Sequence, residues 1–107
     1  MSDKMVDVRV VRSKSIAKTI SEIRKVNPES MTEIKRKIEA HEPVFERSYY
    51  EVSDIKAVLR LYKKLTALGD TCELYESDEK TTVALMNNLA NMHAEIDLYY
   101  ENHPDRD

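Results

Sequence analysis

Apolar residues between Ile16 and His41 fall into two trios. Ile16, Ile20 and Ile23 are spaced by 4 and 3 residues, and Met31, Ile34 and Ile38 by 3 and 4. Either spacing gathers its trio on one side of an α-helix. The pattern therefore predicts two short amphipathic helices joined by Asn27-Pro28-Glu29-Ser30. Pro28 disfavours helix at Asn27, and Ser30 stands three residues before Glu33, the arrangement of a capping box. Upstream, Val6, Val8 and Val10 alternate with Asp7 and Arg9, which predicts a half-buried strand over residues 6–12. Ser13-Lys14-Ser15 ends that strand, and either serine suits the N-cap of a helix from Ile16 to about Val26.

Beyond His41, Pro43 stops the second helix, and residues 44–52 read as a short strand running into a loop, with Phe45 as its core anchor. Ser53 is placed to cap a third helix in which Ile55, Val58, Leu59, Tyr62, Leu65 and Leu68 keep helical spacing. Gly69, the one glycine of the chain, follows that helix at the position that wants a left-handed residue. Residues 71–75 read as a third strand with Cys72 and Leu74 on one face. Ser77-Asp78-Glu79 reads as the opening of a last helix reaching about Glu101. On it Met86, Leu89, His93, Ile96 and Tyr100 recur at 3-4-3-4, with Leu85, Met92 and Tyr99 in a neighbouring row at intervals of seven. Together with Val83 and Ala90 they make more than one apolar stripe, so this helix is expected to pack on its own domain and on something else. The order is β-α-α-β-α-β followed by a long helix, an α+β class with a three-stranded sheet covered by helices in two layers. Residues 1–76 form the domain, and residues 77–107 form a helix and polar tail packed on it.

Composition narrows the setting. The chain has 107 residues, 41% hydrophobic and 35% charged, enough for one modest core. No apolar run approaches a membrane span, and no apolar segment follows Met1-Ser2-Asp3-Lys4 as in a signal peptide. With Cys72 as its single cysteine, the chain is expected in a reducing, cytoplasmic compartment. Net charge is −3 but uneven: residues 1–66 hold 15 Lys/Arg against 10 Asp/Glu, and residues 67–107 hold 2 against 10. A basic face with an acidic end is one reading, and mutual cancellation in the fold is the other.

Candidate chemistry is sparse. His41, His93 and His103 are scattered, without metal-ligand spacing, and no glycine-rich phosphate loop exists in a chain with one glycine. Cys72 reads as a small buried hydrophobe, His93 as a packed interface residue, and His41 as either a helix-end residue or a target contact. The serines at helix starts are explained by capping. No enzyme, cofactor or metal is expected.

Residues 5–76 resemble the C-terminal domain of the bacterial ribosomal stalk protein and the related ClpS-type N-degron adaptors. Ile20-Ser21-Glu22-Ile23-Arg24 through residues 31–39 lie without gaps on the stalk domain's first two helices. Pro43, Val52-Ser53-Asp54 and residues 65–74 fall in register with its strand-helix-strand ending. The resemblance implies a β-α-α-β-α-β fold and a role in binding proteins. Arg24 and Lys35 stand at places where stalk domains engage translational GTPases, although Ser21 replaces a lysine. His41 lies close to the ClpS histidine, although Ser13-Lys14-Ser15 replaces the acidic run that binds an N-terminal amine.

The expected function is a non-enzymatic protein-interaction module, of adaptor, inhibitor or immunity type. It contacts a macromolecular partner through Arg24, Lys25, Lys35, Lys37 and His41 and forms a homodimer through Leu85, Met92 and Tyr99. The alternative is a small nucleic-acid-associated or translation-related regulator. Nucleic acid ranks lower because the chain is acidic overall and its basic run has no aromatic residues to stack bases.

Overall fold

A computed structural model describes residues 4–102; the expectations for residues 1–3, for His103 and for the polar end lie outside the described residues. β1 (Met5–Arg12) forms because its valines at every second position place one apolar row on one side of the pleat, and Val6, Val8 and Val10 are fully buried. It pairs on one side with β2 (Phe45–Ser48), Val8 opposite Phe45, and on the other with β3 (Thr71–Glu76), Val8 opposite Leu74 and Val10 opposite Cys72. Cys72 and Leu74 thus share the valine face, as their alternation indicates.

A fourth strand, β4 (Glu79–Thr81), pairs with β3, so the sheet is antiparallel with order β2-β1-β3-β4. This corrects the expected three-stranded sheet and the helix start at Ser77. Ser77 (φ 50°) and Asp78 (φ 66°) both occupy the left-handed region. They make a two-residue hairpin turn whose twist matches that of the flanking strands. The chain is thereby sent back along β3, Tyr75 opposite Lys80, before any helix begins. The last helix, α4 (Val83–Asn102), starts four residues after Glu79, and Thr82 caps it by accepting the Leu85 N–H at its hydroxyl, 3.1 Å away.

The first two helices fall where the trios place them. α1 (Ile16–Arg24) buries Ile20 and Ile23, and α2 (Met31–Glu39) buries Ile34 and Ile38. Ser30 caps α2 by accepting the Glu33 N–H at 3.1 Å, but the Glu33 carboxylate turns to Arg36 and does not close the reciprocal half of the box. Ser15 is the N-cap residue of α1 without a side-chain capping bond, and Ser13 points instead to Thr19. α3 (Val52–Ala67) begins after Glu51, so Ser53 sits inside its first turn and is not the cap. These three helices and the valine face of the sheet share one core, to which Met86, Leu89 and Ala90 of α4 also contribute.

Two helix ends use the same device. After α3, Gly69 (φ 96°) donates its N–H to Thr66 O and Asp70 to Leu65 O, a Schellman closure. After α2, His41 takes the left-handed position itself (φ 55°), donating to Ile38 O while Glu42 donates to Lys37 O. A Cβ at position 69 would also lie 2.9 Å from Lys14 Cδ, an outer atom of an exposed side chain that would have to shift to make room. The two turns that meet here are bound by the buried Asp70, which accepts from the Lys14 N–H at 3.1 Å and from the Thr19 hydroxyl at 2.5 Å. With the Thr19 proton so committed, Ser13 is the donor in the 2.9 Å bond to Thr19.

The opposite face of the sheet is charged. Asp7 is only 1% exposed there, because Arg9 bonds it at 3.0 Å while its guanidinium lies 3.8 Å from the centre of the Tyr75 ring. Burial raises the pKa of Asp7, and the hydrogen bond from Arg9 opposes the shift. Tyr75 donates to Glu73, which also pairs with Lys80 at 3.0 Å. β2 and β4, four and three residues long, form the two margins of the sheet, each with charged residues exposed.

Candidate interaction surfaces

Cations on α1 and α2 are abundant, but most are already engaged. Lys25 bonds Glu22 at 3.0 Å, and Lys37 bonds Glu29 at 2.5 Å. Arg36 bridges Glu33 at 2.7 Å and Glu42 at 3.1 Å. The carboxyls answer in kind: Glu29 is held below the usual range by Lys37 and then Asn27, while Glu33 and Glu42 are held down by Arg36. Arg24 is exposed and gives its Nε–H to the Glu29 carbonyl at 3.0 Å, which leaves its positive charge unneutralised. Lys35 is exposed with no acidic partner among the described residues. Of the five predicted partner contacts, then, Arg24 and Lys35 keep free charge, and Lys25 and Lys37 are neutralised locally. His41 is exposed at the turn closing α2, where its backbone role alone accounts for its position.

A second cationic row was not singled out from the sequence. Lys56, Arg60 and Lys63 follow one another at i, i+4 and i+7 along the outer face of α3, beside Leu59 and Asn87 in a hollow of about 220 Å³. No acidic partner is present for them among the described residues. The spacing that reveals the row is in the sequence, but the same helix's apolar pattern obscures it.

The other notable surface is on α4. Its start lines a hollow shared with Tyr62, its second turn lies beside Leu59, and His93 sits against Tyr49 and Tyr50 just ahead of α3. α4 therefore runs antiparallel to α3 and passes its N-terminus. His93 packs edge-on to both rings, with centroids 5.7 and 5.9 Å away, the packed role its place in the apolar row indicates. Beyond it, residues 94–101 are all exposed. The predicted self-association residues Leu85, Met92 and Tyr99 are 56%, 46% and 43% exposed, and Ile96 is 43% exposed in the same stretch. Their row borders a groove of about 490 Å³ between α4 and the β3–β4 turn, into which Tyr49, Lys4 and Lys80 also face. Tyr49, Lys4 and Lys80 come from three distant segments, so no local pattern could have joined them.

Cys72 is half-buried in the sheet, and burial together with the charge of Asp70 pushes its thiol up to about 12. Such a thiol is a poor nucleophile. No cluster of three or more metal-ligating side chains occurs among the described residues, and no helix among them is long and apolar enough to cross a membrane. Comparison with known protein families, with curated proteins and with solved structures finds no match to this chain.

Proposed function

We propose that this chain is a non-enzymatic protein-interaction module of the cytoplasm, of adaptor, inhibitor or immunity type. Its two-layer body is of the stalk-domain and ClpS kind, with the free charges of the first two helices turned to a macromolecular partner and α4 used for self-association. The observation that carries the reading is α4: a helix that buries Met86, Leu89 and Ala90 on its own domain and then leaves Met92, Ile96 and Tyr99 exposed. Surface apolar groups concentrated on one element mark an interaction site, whereas scattered ones do not. Arg24 and Lys35 support an acidic partner surface through charge steering.

The test is affinity capture from the host, followed by binding measurements with the captured partner. Each rim charge is worth at most about 1 kcal/mol, so the double reversal Arg24→Glu/Lys35→Glu should weaken binding by about tenfold or more and reduce its salt dependence. Unchanged affinity would remove the α1/α2 site. A nucleic-acid-associated role is the second reading, favoured by the unpaired row Lys56, Arg60 and Lys63. It requires a mobility shift with DNA or RNA at low salt that fades steeply as salt is added, and absence of that shift at low salt eliminates it.

A further inference from the structure

We propose that the groove between α4 and the β3–β4 turn is the seat of the overhanging end of α4 from a second copy of this chain, the two helices lying antiparallel. This rests on the self-association reading above and goes beyond it by assigning the seat, the direction and the register.

The argument begins with the two sides of α4. The side that packs on the domain runs through Val83, Met86 and Ala90 and, carried forward at helical spacing, reaches Asp97 and Glu101. It turns acidic where α4 leaves its domain behind, about a dozen ångströms of helix at 1.5 Å per residue. The neighbouring row behaves differently. Leu85, Leu89, Met92, Ile96 and Tyr99 keep a 4-3-4-3 spacing over the whole helix, although the domain buries only Leu89 among them. A seam of that spacing fits another helix.

The groove accounts for which helix. Its apolar wall is the first half of this same row, Leu85, Leu89 and Met92, and its far side carries Tyr49, Lys4 and Lys80. The exposed second half of the row is what would fill it. One surface supplying both halves of a contact is the requirement of a two-fold dimer. With the axis between Ala90 and Asn91, Met92 meets the partner's Leu89 and Ile96 meets the partner's Leu85, each contact occurring twice.

Charge selects the direction. The overhang carries Glu95, Asp97 and Glu101 with no cation, and none of the three has a partner among the described residues. Parallel helices would set these carboxylates against their own copies. Antiparallel helices separate these carboxylates from their own copies; at the partner's groove Lys4 and Lys80 stand among Glu76 and Glu79, with Lys80 already paired to Glu73, so the rim adds no net attraction and the apolar row carries the contact.

Light scattering on the full chain should give a dimer mass at high micromolar concentration. Met92→Glu or Ile96→Glu should raise the dissociation constant about a hundredfold while leaving circular dichroism unchanged, since both side chains are exposed. Direction is read with cysteines in a Cys72→Ala background. The double variant Leu85→Cys/Ile96→Cys should oxidise to a dimer with two disulfides, and neither single variant should cross-link to itself. The two positions are 11 residues apart on one helix, too far for a bond within one chain. A dimer in which Ile96→Cys alone cross-links would overturn the antiparallel seat and leave self-association standing. A monomer at every concentration would overturn both, and partner binding through Arg24 and Lys35 would be judged separately.

Discussion

Replacing Gly69 with alanine tests the junction that joins the ends of β1 and α3. An L-residue in the left-handed region costs about 1 to 2 kcal/mol. The added methyl also meets Lys14 Cδ at 2.9 Å, and since that atom is well out on an exposed side chain, moving it off its rotamer adds about 0.5 to 1 kcal/mol. Against this, alanine restricts the unfolded chain and returns about 0.4 to 1 kcal/mol. The net expectation is a loss of about 1 to 2 kcal/mol, or a fall in Tm of roughly 4 to 10 °C for a domain of this size. Thermal and urea unfolding of Gly69→Ala, Lys14→Ala and the double variant separate the contributions. Lys14→Ala clears the side-chain contact and keeps the backbone bond from the Lys14 N–H to Asp70. In that background Gly69→Ala should still cost about 1 kcal/mol, the backbone part. A neutral or stabilising Gly69→Ala would refute the reasoning, and full rescue by Lys14→Ala would refute its backbone half.

His41 occupies the equivalent position after α2, so His41→Gly should raise stability by up to about 1 kcal/mol, and a fall in the unfolding midpoint would contradict its turn role. The hairpin turn invites Ser77→Asn/Asp78→Gly, the pair most at ease with two left-handed residues; a higher Tm is expected, and a lower one would deny the turn. Asp7 has a pKa raised above its ordinary 3.8, so the native state holds this proton more firmly than the unfolded chain and stability falls as pH rises through that interval. Relative to wild type, Asp7→Asn should therefore become more stable as pH climbs from about 4 toward neutrality, and parallel urea-derived stability curves would count against the buried carboxylate. Cys72 should resist a thiol reagent at pH 8 in the native protein and react at once in denaturant; rapid native labelling would be incompatible with a thiol pushed up to about 12.

Much of the fold was readable where local chemistry and tertiary packing agree. The apolar trios of α1 and α2, the valine alternation of β1 and the glycine after α3 all rest on periodicity or on a backbone need that one residue type meets. The hairpin was missed because Ser-Asp is a weak turn signal beside Asn-Gly, and Ser77-Asp78-Glu79 imitates a helix start. Asp7 was read as an outward polar residue, and its burial depends on Arg9 folding over Tyr75 on another strand. The basic surface was visible as composition, but its depletion was not: Lys37 meets Glu29 only because the turn between α1 and α2 brings them together. The exposed part of α4 followed from its excess of apolar positions, whereas the groove beside it needs segments that are neighbours only after folding.

The short, charged margins of the sheet have a consequence for how this chain behaves when crowded. A strand end is a template for endless growth, since each copy added presents a fresh edge to the next. Here β2 offers four residues and β4 three, with Glu46, Arg47, Glu79 and Lys80 exposed along them. Assembly by edge addition is thereby discouraged on both sides, so copies that meet are steered away from fibrils.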